Sequence, residues 1–247
     1  MQEKPKIWYS ILGGRSQEDH ISFYEPAQFT WAKQLEKNWE IIAEEIAAYL
    51  VHNEEKIKPY FNTSIVTAKS RWRTSAFFFW TWRVKKNIQQ CPKTIELLEQ
   101  IPGILSAMIS ILETDTEIKP HRGDTNAIIR VHLPLKAPVS LPKCGFKVND
   151  EERSWEEGKL LFFNDAARHT AWNYSEKRRY VLIFDIIRPE FSSKKYRISS
   201  IVLAGLLRQA ILQKVSFLKR SPKIFLTMLL YTIAGILNPI LRLQSNR

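Results

Sequence analysis

The 247-residue sequence holds only two cysteines, Cys91 and Cys144, far apart and without metal-type spacing. That pattern argues against a disulfide scaffold or a zinc ribbon and fits a reducing, cytoplasmic compartment. The opening stretch MQEKPKIWYSILGG lacks a long apolar core, so no secretory signal is expected there. There is no internal repeat and no low-complexity segment. Acidic residues are missing from one whole region: residues 191–247 carry ten Lys/Arg and no Asp or Glu, against 27 basic and 25 acidic in residues 1–190. The formal net charge of +12 therefore belongs mostly to the tail. Apolar runs separate the tail's basic residues, so an anionic membrane surface suits it and no nucleic-acid partner is expected.

With 45% apolar and 25% charged residues, the composition is that of a soluble globular protein with a sizeable core. Leu35, Trp39, Ile42, Ile46 and Tyr49/Leu50 recur at helical spacing and predict a supporting helix over residues 26–51. A short second helix is predicted over residues 92–100, with proline at its start and IPG after it. Between them, RWRTSAFFFWTW reads as a strand and its flanks; its mixture of aromatics and arginine could also stack on nucleic acid. From Ile104 onward, ILSAMISILE, AIIRVHLPL, CGFKV, KLLFFND and RYVLIFDIIRP are short apolar or alternating runs separated by turn-like segments. Short strands without intervening helices predict an antiparallel sandwich or jelly roll.

The stretch HRGDTNAIIRVHLPL offers two histidines without the carboxylate that usually accompanies a mononuclear iron site, since Gly123 stands two residues after His121. Alternation puts Ile128, Arg130 and His132 on one strand face, and a cation there calls for a buried anionic partner. His169 lies in FFNDAARHTAW, and ten residues later Arg179 opens an apolar strand. Arg179 suits a carboxylate because its planar fork binds one bidentately, whereas neighbouring Arg178 should point the other way. Ser110 supplies a further donor from an adjacent strand.

Four ordered blocks, HRGDTNAIIRVHL, RSWEEGK, FNDAARHTAWN and RYVLIFDIIRPE, resemble the aspartyl/asparaginyl β-hydroxylase family. Upstream, FYEPAQFTW, PYF and CPKTIELLEQIPGILSAMISIL are similar to its bacterial branch, so the likeness runs from about Phe23 to Glu190. The resemblance implies a mainly β protein with flanking helices: a double-stranded β-helix (jelly-roll) core in residues 1–190 with N-terminal supporting helices, then a helical tail over 191–247. It implies an Fe(II)/2-oxoglutarate-dependent dioxygenase that uses O2 to hydroxylate an unactivated C–H. By its motifs His121 and His169 would hold the metal, with glycine in the acid's usual place. Ser110 and Arg179 would hold 2-oxoglutarate, Arg130 and His132 would lie near its other carboxylate, and Asp165 would act through ordered water. Asp124 is the competing third ligand, one residue off the glycine, and a vacant acid position could instead admit a halide.

Three departures bear on substrate: HLPL for HLGL, FFNDAARH for FDDxxEH, and IIRPE for a form with histidine before the proline. The expected substrate is peptidyl Asp/Asn; the alternatives are a lipid acyl chain at a membrane surface, or a binding module that no longer catalyses. In the tail, Arg208, Lys214, Lys219 and Arg220 form a basic side, followed by 18 uncharged residues from Ile224 to Leu241. The preferred reading is an interfacial hairpin that makes the protein peripheral at a membrane; a helix packed on the body and a short span are the alternatives.

Overall fold

The computed structural model describes residues 6–18, 20–68, 70–215 and 220–245; Lys219 and the first five residues lie outside this set. The chain begins with β1 (Phe23–Tyr24), α1 (Ala32–Lys37), α2 (Trp39–Asn53), β2 (Trp72–Phe79), β3 (Trp82–Arg83), α3 (Lys85–Ile88) and α4 (Pro92–Glu99). Eight strands follow: β4 (Ile104–Leu112), β5 (Thr116–His121), β6 (Ile128–Lys136), β7 (Cys144–Val148), β8 (Glu151–Arg153), β9 (Leu161–Phe163), β10 (His169–Asn173) and β11 (Arg179–Ile187). Helices α5 (Lys195–Lys214) and α6 (Lys223–Ser245) complete it.

The strands form a seven-stranded sheet, β1-β9-β6-β11-β4-β2-β3, and a four-stranded sheet, β5-β10-β7-β8, with antiparallel pairing throughout. From β4 to β11, successive strands mostly alternate between the sheets, which winds the chain into the double-stranded β-helix. Period-two alternation then assigns each strand's residues to the outside or the inside of the roll. On β6, Ile129, Val131, Leu133 and Leu135 face outward into the largest apolar cluster, where Ile42 and Ile46 of α2 and Leu98 of α4 cover them. The intervening residues, Arg130 and His132 among them, face inward.

The helix predicted over 26–51 is interrupted. A 3-10 turn (Pro26–Gln28) precedes α1, and the chain breaks at Asn38, whose side-chain amide donates to the Gln34 carbonyl at 2.8 Å. Asparagine competes for backbone carbonyls in this way, which ends α1 while leaving Leu35, Ile42 and Ile46 on one buried side. The second predicted helix is α4, capped from outside: Glu45 of α2 accepts from the backbone amides of Lys93 (3.0 Å) and Thr94 (2.6 Å). These donors would otherwise be orphans of the helix start, and the capping fixes α4 against α2. The RWRTSAFFFWTW stretch is β2, a tight turn with positive φ at Trp80 and Thr81, and β3.

The tail is two packed helices. Ile198 and Val202 of α5 enter a cluster with Trp80, Ala127, Ile128 and Ile187 of the roll. Helix α6 runs back along α5: Arg208, near the end of α5, donates to the Leu226 carbonyl, and Arg242, near the end of α6, lies over the Tyr196 ring. Residues Lys223–Gln244 are long and apolar enough, by length and composition, to cross a membrane.

Phe162 is fully buried on the outer sheet face, stacked on Phe29 at 4.3 Å and close to Trp31. Phe162→Ala should cost about 3–5 kcal/mol in denaturant unfolding. Val51→Ala, at an exposed position of α2, should be nearly neutral in the same measurement.

Candidate functional site

His121 ends β5 and His169 begins β10, and the two are direct partners across that antiparallel pair. Their ring centroids lie 4.2 Å apart. Each Nδ1 meets a backbone carbonyl two residues earlier, at Lys119 (2.8 Å) and Ala167 (2.9 Å), and must therefore donate. The proton is thus fixed on Nδ1 and the Nε2 lone pair is left free on each ring. Burial lowers the pKa of His121 to about 4 and that of His169 well below the ordinary value, so both rings are neutral at neutral pH. Two neutral imidazoles with free Nε2 atoms at one strand pair suit a divalent metal. Among the described residues, no group of three or more His, Cys, Asp or Glu is placed to share one ion.

The nearest carboxylate belongs to Asp165. It is fully buried, with Oδ1 3.7 Å from His169 Nε2 and 2.6 Å from Arg130 Nη1. Its Oδ2 has no partner. Gly123 exists to make this room: a Cβ built there would fall 1.6 Å from Asp165 Oδ2. The Gly123 amide also donates to the Asp165 carbonyl at 2.7 Å, tying the two segments together. Residue 165 therefore fills the space that a side chain at 123 would take. Asp124 instead lines a small cleft with Ser10, Ile11, Val202 and Gly205, on the side of α5.

Arg130 is held by two acids. Its Nε and Nη2 donate to Asp185 at 2.7 and 3.1 Å, and its Nη1 to Asp165. This is the buried anionic partner that its strand face called for. Burial opposes the guanidinium's charge, but Asp165 and Asp185 outweigh it and keep the group protonated. Burial raises the Asp165 pKa to about 7, with Asp185 adding to the rise and Arg130 opposing it. Asp165 is therefore only partly ionised at neutral pH; its ionised form, which a nearby cation favours, would give the trio a net single negative charge beside the histidine pair. Two of the five guanidinium N–H groups remain for another acceptor.

A second polar group lies farther along the roll. Arg179 is 1% exposed and has no carboxylate in ion-pair reach among the described residues. Burial lowers its pKa to about 10 and its Nε has no partner. Its guanidinium lies 4.4 Å over the Trp155 ring, and its Nη2 donates to Ser110 Oγ at 3.2 Å. Trp72 Nε1 donates to the same oxygen at 3.0 Å. Ser110 Oγ thus accepts twice, which leaves its own proton for a further acceptor. Trp155 Nε1 donates to His132 Nδ1 at 3.1 Å, so neutral His132 carries its proton on Nε2. Arg178 points to the surface, paired with Glu54 and Glu113 at 2.6 and 2.7 Å.

The fold therefore brings His121, His169, Asp165 and Arg130 together at one place and Ser110, Arg179 and His132 at another inside the same roll. Trp72, Trp155 and Asp185 were not singled out from the sequence. Alternation from Arg179 would have put Asp185 on its face, but only the β11–β6 register sets it opposite Arg130. Nothing in the sequence marks Trp72 as a hydrogen-bond donor to Ser110.

The family model "Aspartyl/Asparaginyl beta-hydroxylase" matches residues 36–189. An ornithine lipid ester-linked acyl 2-hydroxylase of Rhizobium tropici is 35% identical over 180 residues, 70% of this chain and 63% of that protein. The human aspartyl/asparaginyl beta-hydroxylase is 32% identical over 173 residues, 67% of this chain but 22% of that protein. The chain thus spans less than two thirds of each relative. A Pseudomonas putida prolyl-4-hydroxylase structure aligns over 61% of this chain and 87% of its own, at 13% identity and a TM-score of 0.40. With the family model covering more than half of the sequence, this chain is a member of the aspartyl/asparaginyl β-hydroxylase family.

Proposed function

We propose that the protein is an Fe(II)/2-oxoglutarate-dependent hydroxylase acting on the acyl chain of a membrane lipid, peripheral at an anionic membrane on the cytoplasmic side. The observation that carries the cosubstrate is Arg179, a buried cation with an unpartnered Nε. An unpaired buried charge costs several kcal/mol, roughly what a bound carboxylate would offset. Arg179 and the spare Ser110 proton would hold the distal carboxylate of 2-oxoglutarate. Trp72 fixes Ser110 from behind, and Trp155 supports the Arg179 guanidinium and orients His132. His132 Nε2–H and the two spare N–H groups of Arg130 would serve the other carboxylate.

His121 and His169 would hold Fe(II) through Nε2. The donor set fits a dication: both rings are neutral, and the Asp165–Arg130–Asp185 trio supplies compensating negative charge without a direct ligand. Asp165 Oδ2, buried and unpartnered, is left to accept a hydrogen bond from a site water. Bound iron would supply O2 activation coupled to conversion of 2-oxoglutarate to succinate, and thereby oxidation of an unactivated C–H. The roll positions the reactants and keeps bulk water away.

Two observations support a lipid substrate: the acyl hydroxylase relative at 35% identity, and the apolar helix α6 beside the roll. Peptidyl Asp/Asn is the second reading, favoured by the human relative. Anaerobic titration with Fe(II) and 2-oxoglutarate, followed by succinate release on adding O2 with each candidate, tests both the cofactors and the substrate. Absence of 2-oxoglutarate binding would defeat the proposal.

His121→Ala and His169→Ala should each abolish Fe(II) binding in that titration, while Asp124→Ala keeps most of it. Equal loss in all three would make Asp124 a ligand.

Arg179→Ala should weaken 2-oxoglutarate binding by about 100-fold or more, because two charge-assisted hydrogen bonds at about 1.5–3 kcal/mol each are lost. Lysine at 179 should restore only part, since a point charge cannot match the fork. Arg178→Ala should leave the affinity within a factor of about three, the scale of an exposed ion pair.

Gly123→Ala should drive Asp165 from its place, given the 1.6 Å approach. The expected result is weaker Fe(II) retention together with a lower unfolding midpoint, read by metal analysis and thermal melting.

A further inference from the structure

The outward side of α6 is the reverse of a water-facing helix. Ile224, Met228 and Tyr231 form one row and Ile236, Ile240 and Leu243 a second, the two together covering about half of the helix circumference, and they are 72, 64, 46, 61, 39 and 67% exposed. A surface helix normally carries charge on such a stripe. The opposite side is already occupied: Leu230 and Ala234 are buried against Ile201 and Ala204 of α5, with Tyr9 and Ile11 of the N-terminal segment beside them. That N-terminal segment also holds the site's edge. The Ser10 amide donates to the Asp124 carbonyl at 2.9 Å, and Thr125 Oγ1 donates to the Trp8 carbonyl at 2.6 Å, just beyond His121.

We propose that α6 is a docking helix that lies in the plane of an anionic bilayer surface, its apolar stripe among the lipids, and seats the rim of the His121–His169 site there. The proposal rests on the acyl-lipid reading only for what the seated site would meet. Length does not exclude a span, since 22 residues at 1.5 Å per residue reach about 33 Å. The packed inner face decides against it. To span, α6 would have to leave Ile201, Ala204 and Ile11 and give up the Arg208 bond to the Leu226 carbonyl at 3.2 Å. An interfacial helix keeps those contacts and buries only the stripe. Charge selects the surface: Lys214, Arg220 and Lys223 are exposed where α5 turns into α6, and the tail holds no acid. A second copy docking through its own tail would bring only more cations to this face, whereas anionic headgroups complement it.

The test uses the full chain. A fluorescent label sensitive to polarity is attached at Met228→Cys, Ile236→Cys or Leu243→Cys, the native Cys91 and Cys144 being buried. Vesicles contain equal phosphatidylglycerol and phosphatidylcholine, or phosphatidylcholine alone. All three labels should shift on the anionic vesicles, with the same shallow depth by brominated-lipid quenching, and binding should weaken with salt. A Met228→Glu/Ile236→Glu double variant should bind these vesicles at least tenfold more weakly while retaining Fe(II) as the parent does. Greatest depth at position 236 with shallow ends would mean a span and overturn the proposal. So would vesicle-independent shifts accompanied by doubled mass in light scattering, or no vesicle binding at all. Wild-type protein that docks but hydroxylates no lipid, dispersed in detergent or in vesicles, would sink the substrate reading and leave docking standing.

Discussion

Inside the β-roll the guanidinium of Arg130 is gripped by two anions, Asp165 and Asp185, whereas that of Arg179 has only the Trp155 ring and Ser110. Much of the site follows from that arrangement. Asp185 comes from the strand directly paired with β6, so the sheet register itself supplies one acid. Asp165 comes from the loop before β10 and brings its carboxylate into the space beside residue 123. Glycine is then required at 123, and the Asp165 carboxylate stands 3.7 Å from His169 Nε2. Arg130 favours the ionised form of Asp165 against its burial, so the charge offered to the histidine pair is set within the trio. Exposing Arg130 to water would remove the reason for Asp165 to sit where it does.

Much of this was legible in the sequence. Alternation along AIIRVHLPL put Arg130 and His132 on one face, and the motif blocks pointed to His121, His169, Asp165, Ser110 and Arg179. The spacing of apolar residues marks α2, and proline at the start with IPG after it marks α4. What escaped has a common cause: it depends on contacts between segments distant in sequence. Asn38 breaks a periodic helix through one side-chain hydrogen bond that periodicity does not see. Trp72 reads as an ordinary strand aromatic until β2 lies against β4 and its indole reaches Ser110. The tail's composition suggested a membrane, while its first helix also buries Ile198 and Val202 on the roll. A single apolar pattern can serve both, and composition alone does not divide it.

The largest apolar cluster and the polar site lie on opposite faces of the seven-stranded sheet. The largest apolar cluster lies outside the roll, between the seven-stranded sheet and the N-terminal helices, while inside the roll the arginines, histidines and acids sit beside a second apolar cluster that includes Leu112, Phe146, Val148, Trp155 and Phe163. A chain organised this way can change the polar part of its inner lining with less penalty to its folding than the buried Phe146 and Phe163 would allow, because the larger set of contacts that secure the sheet is on its other side. Substitutions that alter which molecule is accepted need not wait for compensating repairs elsewhere. Such separation favours divergence: one scaffold can acquire a new lining over evolutionary time by redrawing part of its inner wall while the outer wall stands.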